Sequence, residues 1–124
     1  MKNTTLILAV IVSLCATFQV SAQENVPKEV LLNTMNSVNR LKLSNLKTSE
    51  LMEYNTAYVD KVYRVLESGM SDNEQKSDLK ALANDREKDL TDLIGKSTTR
   101  KYAHLTDKEM RLLVHKNKLL RYIY

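Results

Sequence analysis

The sequence predicts an all-α fold, a small helical domain of about four to five helices that include a long helical hairpin. Three observations carry this. Gly69 and Gly95 are the only glycines and Pro27 the only proline, too few turn formers for a fold of many short strands. Leu51, Tyr54, Tyr58, Val62 and Val65 follow one another three or four positions apart, which places them on one face of a helix. Leu79, Leu82, Arg86, Leu90 and Leu93 repeat that spacing further along.

The chain opens with a different pattern. Lys2 precedes an apolar run from Leu6 to Val12 that continues through Leu14, Cys15, Ala16 and Phe18, and Val20-Ser21-Ala22 ends it with small residues where a signal peptidase reads. A basic start, a short apolar core and such an ending describe a secretory signal, and the core is short for a bilayer span. Residues 1–22 are therefore expected to be a signal peptide cut after Ala22, and residues 23–124 a single all-helical domain that works in a periplasm or outside the cell. Cys15 is the only cysteine, and Leu14 stands before it where a lipoprotein signal wants a small residue. Without Cys15 the mature chain has no disulfide, thiolate metal site or cysteine nucleophile. That location also argues against ATP, reduced cofactors and chromosomal nucleic acid as partners.

Each helix has its punctuation. Pro27 suits the first turn of an opening helix over residues 27–41. Thr48 or Ser49 can cap the next, which is expected to stop at Ser68-Gly69, where glycine supplies a left-handed residue. Ser71-Asp72-Asn73-Glu74 is a capping box, and the helix it opens should run to Ile94 and stop at Gly95. A short helical turn over residues 97–102 follows. Thr106-Asp107-Lys108-Glu109 reads as a second capping box opening a last helix to the C-terminus.

Charge is unevenly spread. Residues 72–93 carry seven acids and four bases, whereas residues 96–124 carry eight bases and two acids. Charge on helical faces is ordinarily just solvated; a basic surface striped with apolar residues can also attract acidic partners, lipid headgroups or unfolded chains.

Leu43-Ser44-Asn45-Leu46-Lys47, followed by Leu51, Tyr54, Asn55 and Tyr58, resembles the first repeat of the Spy/CpxP-type periplasmic proteins, which carry an L-T-x-x-Q motif. Ser44 stands for the motif threonine and keeps a capping hydroxyl; Lys47 replaces the glutamine. A second, degenerate copy is Ile94-Gly95-Lys96-Ser97-Thr98, with Tyr102 at the position of Leu51. Asp85-Arg86-Glu87-Lys88-Asp89-Leu90 is similar to the charged helix that leads into the family's second motif. The resemblance implies an antiparallel, cradle-shaped homodimer that binds unfolded or misfolded envelope proteins on its concave face and suppresses their aggregation without ATP. On that reading Met52, Met70 and Met110 suit promiscuous contact because the thioether adapts its shape. Tyr63 and Tyr102 would offer aromatic contact to clients, and Arg100 and Lys101 basic attraction.

The remaining side chains have plainer alternatives. Tyr54 and Tyr58 read first as core. Arg86 among leucines either meets a carboxylate across a dimer seam or, the favoured reading, snorkels its head to water. His104 and His115 share a helix face only if one helix runs through Thr106; two histidines without cysteine are a poor start for zinc, and no metal site is expected. No G-x-S-x-G, H-E-x-x-H or glycine-rich phosphate loop is present, so the sequence reads as a non-enzyme without cofactor. Residues 110–124 are cationic and amphipathic. Their favoured fate is docking of Leu113, Val114, Leu120 and Ile123 into the core; the alternative is a helix lying on an anionic membrane surface, as in an envelope adaptor.

Overall fold

The computed structural model describes residues 25–124; the signal-peptide reading of residues 1–22 lies outside the described residues. Four α-helices and two 3-10 segments follow in order: α1 (Lys28–Met35), a 3-10 turn (Asn39–Leu41), α2 (Asn45–Leu66), α3 (Asp72–Ile94), α4 (Lys96–Lys116) and a C-terminal 3-10 helix (Lys118–Tyr122). The all-α expectation holds. α2 packs on α1 and α3, while α4 packs on α3, α1 and both 3-10 segments. Among the described residues no helix is long and apolar enough to cross a membrane.

Local chemistry sets most boundaries. Ser71 caps α3 through its hydroxyl, which accepts from the Glu74 N–H at 3.3 Å, as the capping box predicts. Gly95 ends α3 with φ 85° and ψ 158°, a conformation open essentially to glycine alone. That single residue also starts α4, so α3 and α4 form a hairpin with no loop. α2 ends at Leu66, and the positive φ of Gly69 turns the chain toward α3.

Four expected boundaries are corrected. α1 stops at Met35 instead of near Leu41 because its last carbonyl is taken from outside: Asn55 Nδ2 lies 3.1 Å from Met35 O, and the Tyr102 hydroxyl donates to the same oxygen. The chain then turns through Asn36 to Val38 into the 3-10 turn and leaves it through Lys42 in left-handed conformation. α2 begins at Asn45, capped by Ser44, whose hydroxyl accepts from the Lys47 N–H at 3.2 Å; Thr48 and Ser49 lie within the helix. Thr106 is no cap. It sits buried inside one continuous α4, where its hydroxyl donates back to Tyr102 O at 3.0 Å, so the separate turn over residues 97–102 does not exist. The last helix ends at Lys116. Asn117 is extended and its side chain accepts from the Leu119 N–H at 3.1 Å, which starts the 3-10 helix.

Two apolar clusters form the interior. The larger joins Leu31, Met35, Tyr58, Val59, Val62, Leu79, Met110, Leu113, Leu120 and Ile123; the smaller joins Val38, Leu41, Leu51, Leu90 and Tyr102. The C-terminal segment therefore docks: Leu120 and Ile123 are fully buried, and the Tyr58 hydroxyl donates to Ile123 O at 2.7 Å. An added Cβ at Gly95 would meet nothing within 4 Å, so a Gly95→Ala change tests backbone strain alone. It should destabilise the protein by about 1–3 kcal/mol, read as a lowered midpoint of thermal unfolding with helix content retained below it.

Candidate functional site

Along each long helix the apolar stripe is interrupted once, at the level between the two clusters. On α2, Asn55 separates Leu51 from Tyr58, Val59 and Val62; on α3, Arg86 separates Leu79 from Leu90; on α4, Thr106 separates Tyr102 from Met110 and Leu113. Asn55, Arg86 and Thr106 are all buried. They make a polar layer across the middle of the bundle, distinct from the other two buried polar residues, Gln75 and Asn117.

The Tyr102 hydroxyl is its centre. It donates to Met35 O and accepts from Asn55 Nδ2 and Arg86 Nη2, each at 3.1 Å. Asn55 Nδ2 also lies 3.0 Å from Asn36 Oδ1. The Arg86 guanidinium is 4.6 Å from the ring centre of Tyr58, 5.6 Å from that of Tyr54 and 5.7 Å from that of Tyr102, within reach for attraction to the electron-rich faces. Arg86 is 7% exposed and, among the described residues, makes no ion pair. The nearby Asp89 carboxylate instead accepts from the Tyr54 hydroxyl at 2.8 Å. Among the described residues, Arg86 Nη1 and Asn55 Oδ1 are buried without a hydrogen-bond partner.

Burial disfavours the phenolate and raises the tyrosines of this layer. Tyr58 is pushed up to about 12, with Arg86 opposing. Tyr54 is raised by burial and further by the Asp89 carboxylate. Tyr102 is raised by burial, against the opposing pull of Arg86 and Asn55.

Beside this layer, between α3 and α4, lies a cleft of about 330 Å³, at the lower end of the size range for ligand pockets. Arg86, Leu90, Tyr102, Met110, Met35 and Ile123 line its interior. Ala83, Asn84 and Glu87 from α3 and Thr99, Arg100 and Ala103 from α4 also line it. Small side chains at Ala83 and Ala103 leave the space open.

The sequence-derived residues are scattered relative to this site. Arg100 and Tyr102 line the cleft, but Tyr102 is 3% exposed; as a surface contact for clients it is corrected, because its ring and hydroxyl belong to the core. Met52, on α2, and Lys101, on α4, are exposed. Met70 is half-buried in the α2–α3 connection. Tyr63 is half-buried and its hydroxyl donates to Val26 O. Of the motif positions, Leu51, Asn55 and Tyr58 are buried, and Leu43, Tyr54 and Ile94 pack against the smaller cluster. Thr98 is half-buried, Ser44 is the cap and Lys47 pairs with Glu50 at 3.3 Å on the surface. Arg86 does not snorkel, and it meets no carboxylate among the described residues of its own chain. His104 and His115 are exposed on one face of a continuous α4, yet about 16 Å apart along it, too far to share an ion. Among the described residues no group of three potential ligands is placed to hold a metal. Thr106, expected as a cap, joins the layer instead, and Ala83 and Ala103 are lining residues that the sequence reading lacks. Alanines on both helices of a hairpin, Ala83 and Ala103, are the signal that marks such an opening.

Removing the Tyr102 hydroxyl should be costly, since it leaves Arg86 Nη2, Asn55 Nδ2 and Met35 O each short of a partner. Tyr102→Phe is expected to cost roughly 1–3 kcal/mol in urea unfolding. Alkali should act on the same layer. Between the ordinary tyrosine value near 10 and the raised values of the folded state, the unfolded chain holds fewer protons than the folded one. Stability therefore falls as pH rises from about 10 toward 12, and phenolate absorbance from these tyrosines should appear together with loss of helix, not before it. Comparison of the chain with protein-family models, curated proteins and solved structures gives no match, so what the site does has to follow from its own chemistry.

Proposed function

We propose that the protein is a non-catalytic binding protein of the periplasm or cell exterior that holds unfolded or misfolded envelope proteins without ATP, using the α3–α4 cleft as its client site. The observation that carries this is the cleft itself, an opening lined by apolar side chains that include two methionines and by a basic residue, Arg100. Exposed apolar segments of a non-native chain lose water on entering it, a gain of roughly 25 cal/mol for each Å² covered. Met35 and Met110 can reshape the floor around different side chains. The excess of bases in residues 96–124 draws clients in at long range. The location rests on residues 1–22, and a homodimer belongs to the same proposal through the Spy/CpxP resemblance.

Burial of part of its apolar stripe supports the client-binding reading over the membrane-surface rival. Leu113, Leu120 and Ile123, residues of the stripe that rival needs, are buried in the larger cluster.

Light scattering of an aggregating client tests the proposal. The purified protein should suppress scattering of two unrelated clients without nucleotide, and added salt should weaken the effect. Ala103 lines the cleft and is exposed, so Ala103→Phe fills the opening without burdening the core. It should reduce suppression severalfold at unchanged helix content. Full suppression by that variant would remove the cleft from the mechanism, and no suppression by the folded wild type would sink the chaperone reading.

A further inference from the structure

Among the described residues nothing balances the buried cation at the cleft. Taking a guanidinium out of water costs several kcal/mol even after relaxation. The three tyrosine rings and one hydroxyl return part of this, but Nη1 stays buried with nothing to donate to. A leucine at this position would continue the α3 stripe without that cost. The arrangement is what a site for an anion requires: a fork held in place by Tyr102, and a free donor in surroundings of low polarity, where charge-assisted bonds are strong.

The lining narrows the kind of anion. The apolar side chains call for a ligand with an apolar body. Glu87 also lines the cleft and opposes a doubly charged group, which favours a carboxylate over a phosphate. Thr99, Thr106 and Asn84 add polar side chains. The two threonine hydroxyls donate to Gly95 O and Tyr102 O respectively and keep lone pairs for N–H groups. A peptide backbone has N–H groups to offer; a fatty acid does not. We infer that the cleft recognises the free C-terminal carboxylate of an apolar polypeptide segment, with Arg86 Nη1 as the principal donor and Arg100 as a second cation. Met35 and Met110 repack to let the carboxylate reach Nη1, which is shielded in the unliganded protein. This rests on the client-binding reading of the same cleft and adds to it that a chain end is gripped in preference to a chain interior.

Isothermal titration calorimetry of the purified protein tests it with three probes: an apolar pentapeptide of leucine and alanine with a free carboxylate, the same peptide amidated, and decanoate. The free acid should bind at least about tenfold more tightly than the amide, the worth of one good charge-assisted bond. Arg86→Met should abolish that preference, Arg86→Lys should keep part of it, and Arg100→Ala should weaken it by a smaller factor. Circular dichroism checks that each variant is folded. Should Arg86→Met fail to fold, Ala103→Phe supplies the same test, because it blocks the cleft from an exposed position and should remove binding of the acid. Equal binding of acid and amide would overturn the carboxylate inference while leaving the client-binding reading intact. Binding of decanoate alone would overturn it in favour of a lipid acid. Suppression of client aggregation without binding of either peptide would overturn the cleft as the client site and this inference with it.

Discussion

The Tyr102 hydroxyl is where the four helices converge, and its three hydrogen bonds tie each of the others to α4. It donates to Met35 at the end of α1 and accepts from Asn55 on α2 and Arg86 on α3. The bonds to Met35 and Asn55 span 67 and 47 residues and need the assembled bundle, whereas that to Arg86 spans 16 and lies within the α3–α4 hairpin. Once formed, they are closed to water by Leu51 and Leu90 on one side and by Tyr58, Val59, Leu79 and Met110 on the other. Low polarity strengthens every bond in the layer and raises the cost of breaking any one.

A bundle whose seams hold only leucine and valine can slide by a turn at small cost. This one cannot. Moving α3 by one turn would take Arg86 from Tyr102 and set Leu82 or Leu90 opposite Asn55, leaving several polar atoms stranded among hydrocarbon. The layer thus aligns the helices, and the end of α1 follows from it, since Met35 O is occupied by side chains instead of a following helical N–H. The hairpin of α3 and α4 is fixed at its other end by Gly95, which permits no loop. Alignment at the layer and closure at Gly95 together leave the alanine-lined cleft open between them.

Much of this was written in local sequence. Ser71 caps α3 because its neighbourhood, with a glycine just before it, already interrupts the chain. The same four-letter pattern at Thr106 failed for a reason the local letters do not hold. A threonine hydroxyl serves a helix start or bonds back to a carbonyl one turn earlier, and packing decides between these. Here Thr106 is buried at the polar layer, and the back-bond wins. Arg86 shows the other limit. Its place among leucines was visible, but snorkelling was the default because the rings that receive it come from α2 and α4, up to 32 residues away. Asn55 could be read only as a motif position. That it would complete a polar layer depends on which residues of α1 and α4 stand opposite, which is tertiary information.

Counting donors and acceptors explains why the layer has a hydrogen to spare. The tyrosine hydroxyl has one proton and two lone pairs; the proton goes to Met35 O and the lone pairs to Asn55 and Arg86. It has nothing left for a second N–H of the guanidinium. Among the described residues Asn55 Oδ1 is the one buried side-chain acceptor left unpaired, yet even if it took a hydrogen from Nη1, that nitrogen carries two. In this arrangement of the side chains the surplus follows from the residues that form the layer. A glutamate in the layer would have removed the surplus by pairing with Arg86, and a leucine at 86 would have removed it altogether. With neither present, the core holds an unneutralised charge at the wall of an apolar cleft, and an acceptor brought in from outside is the group that balances it.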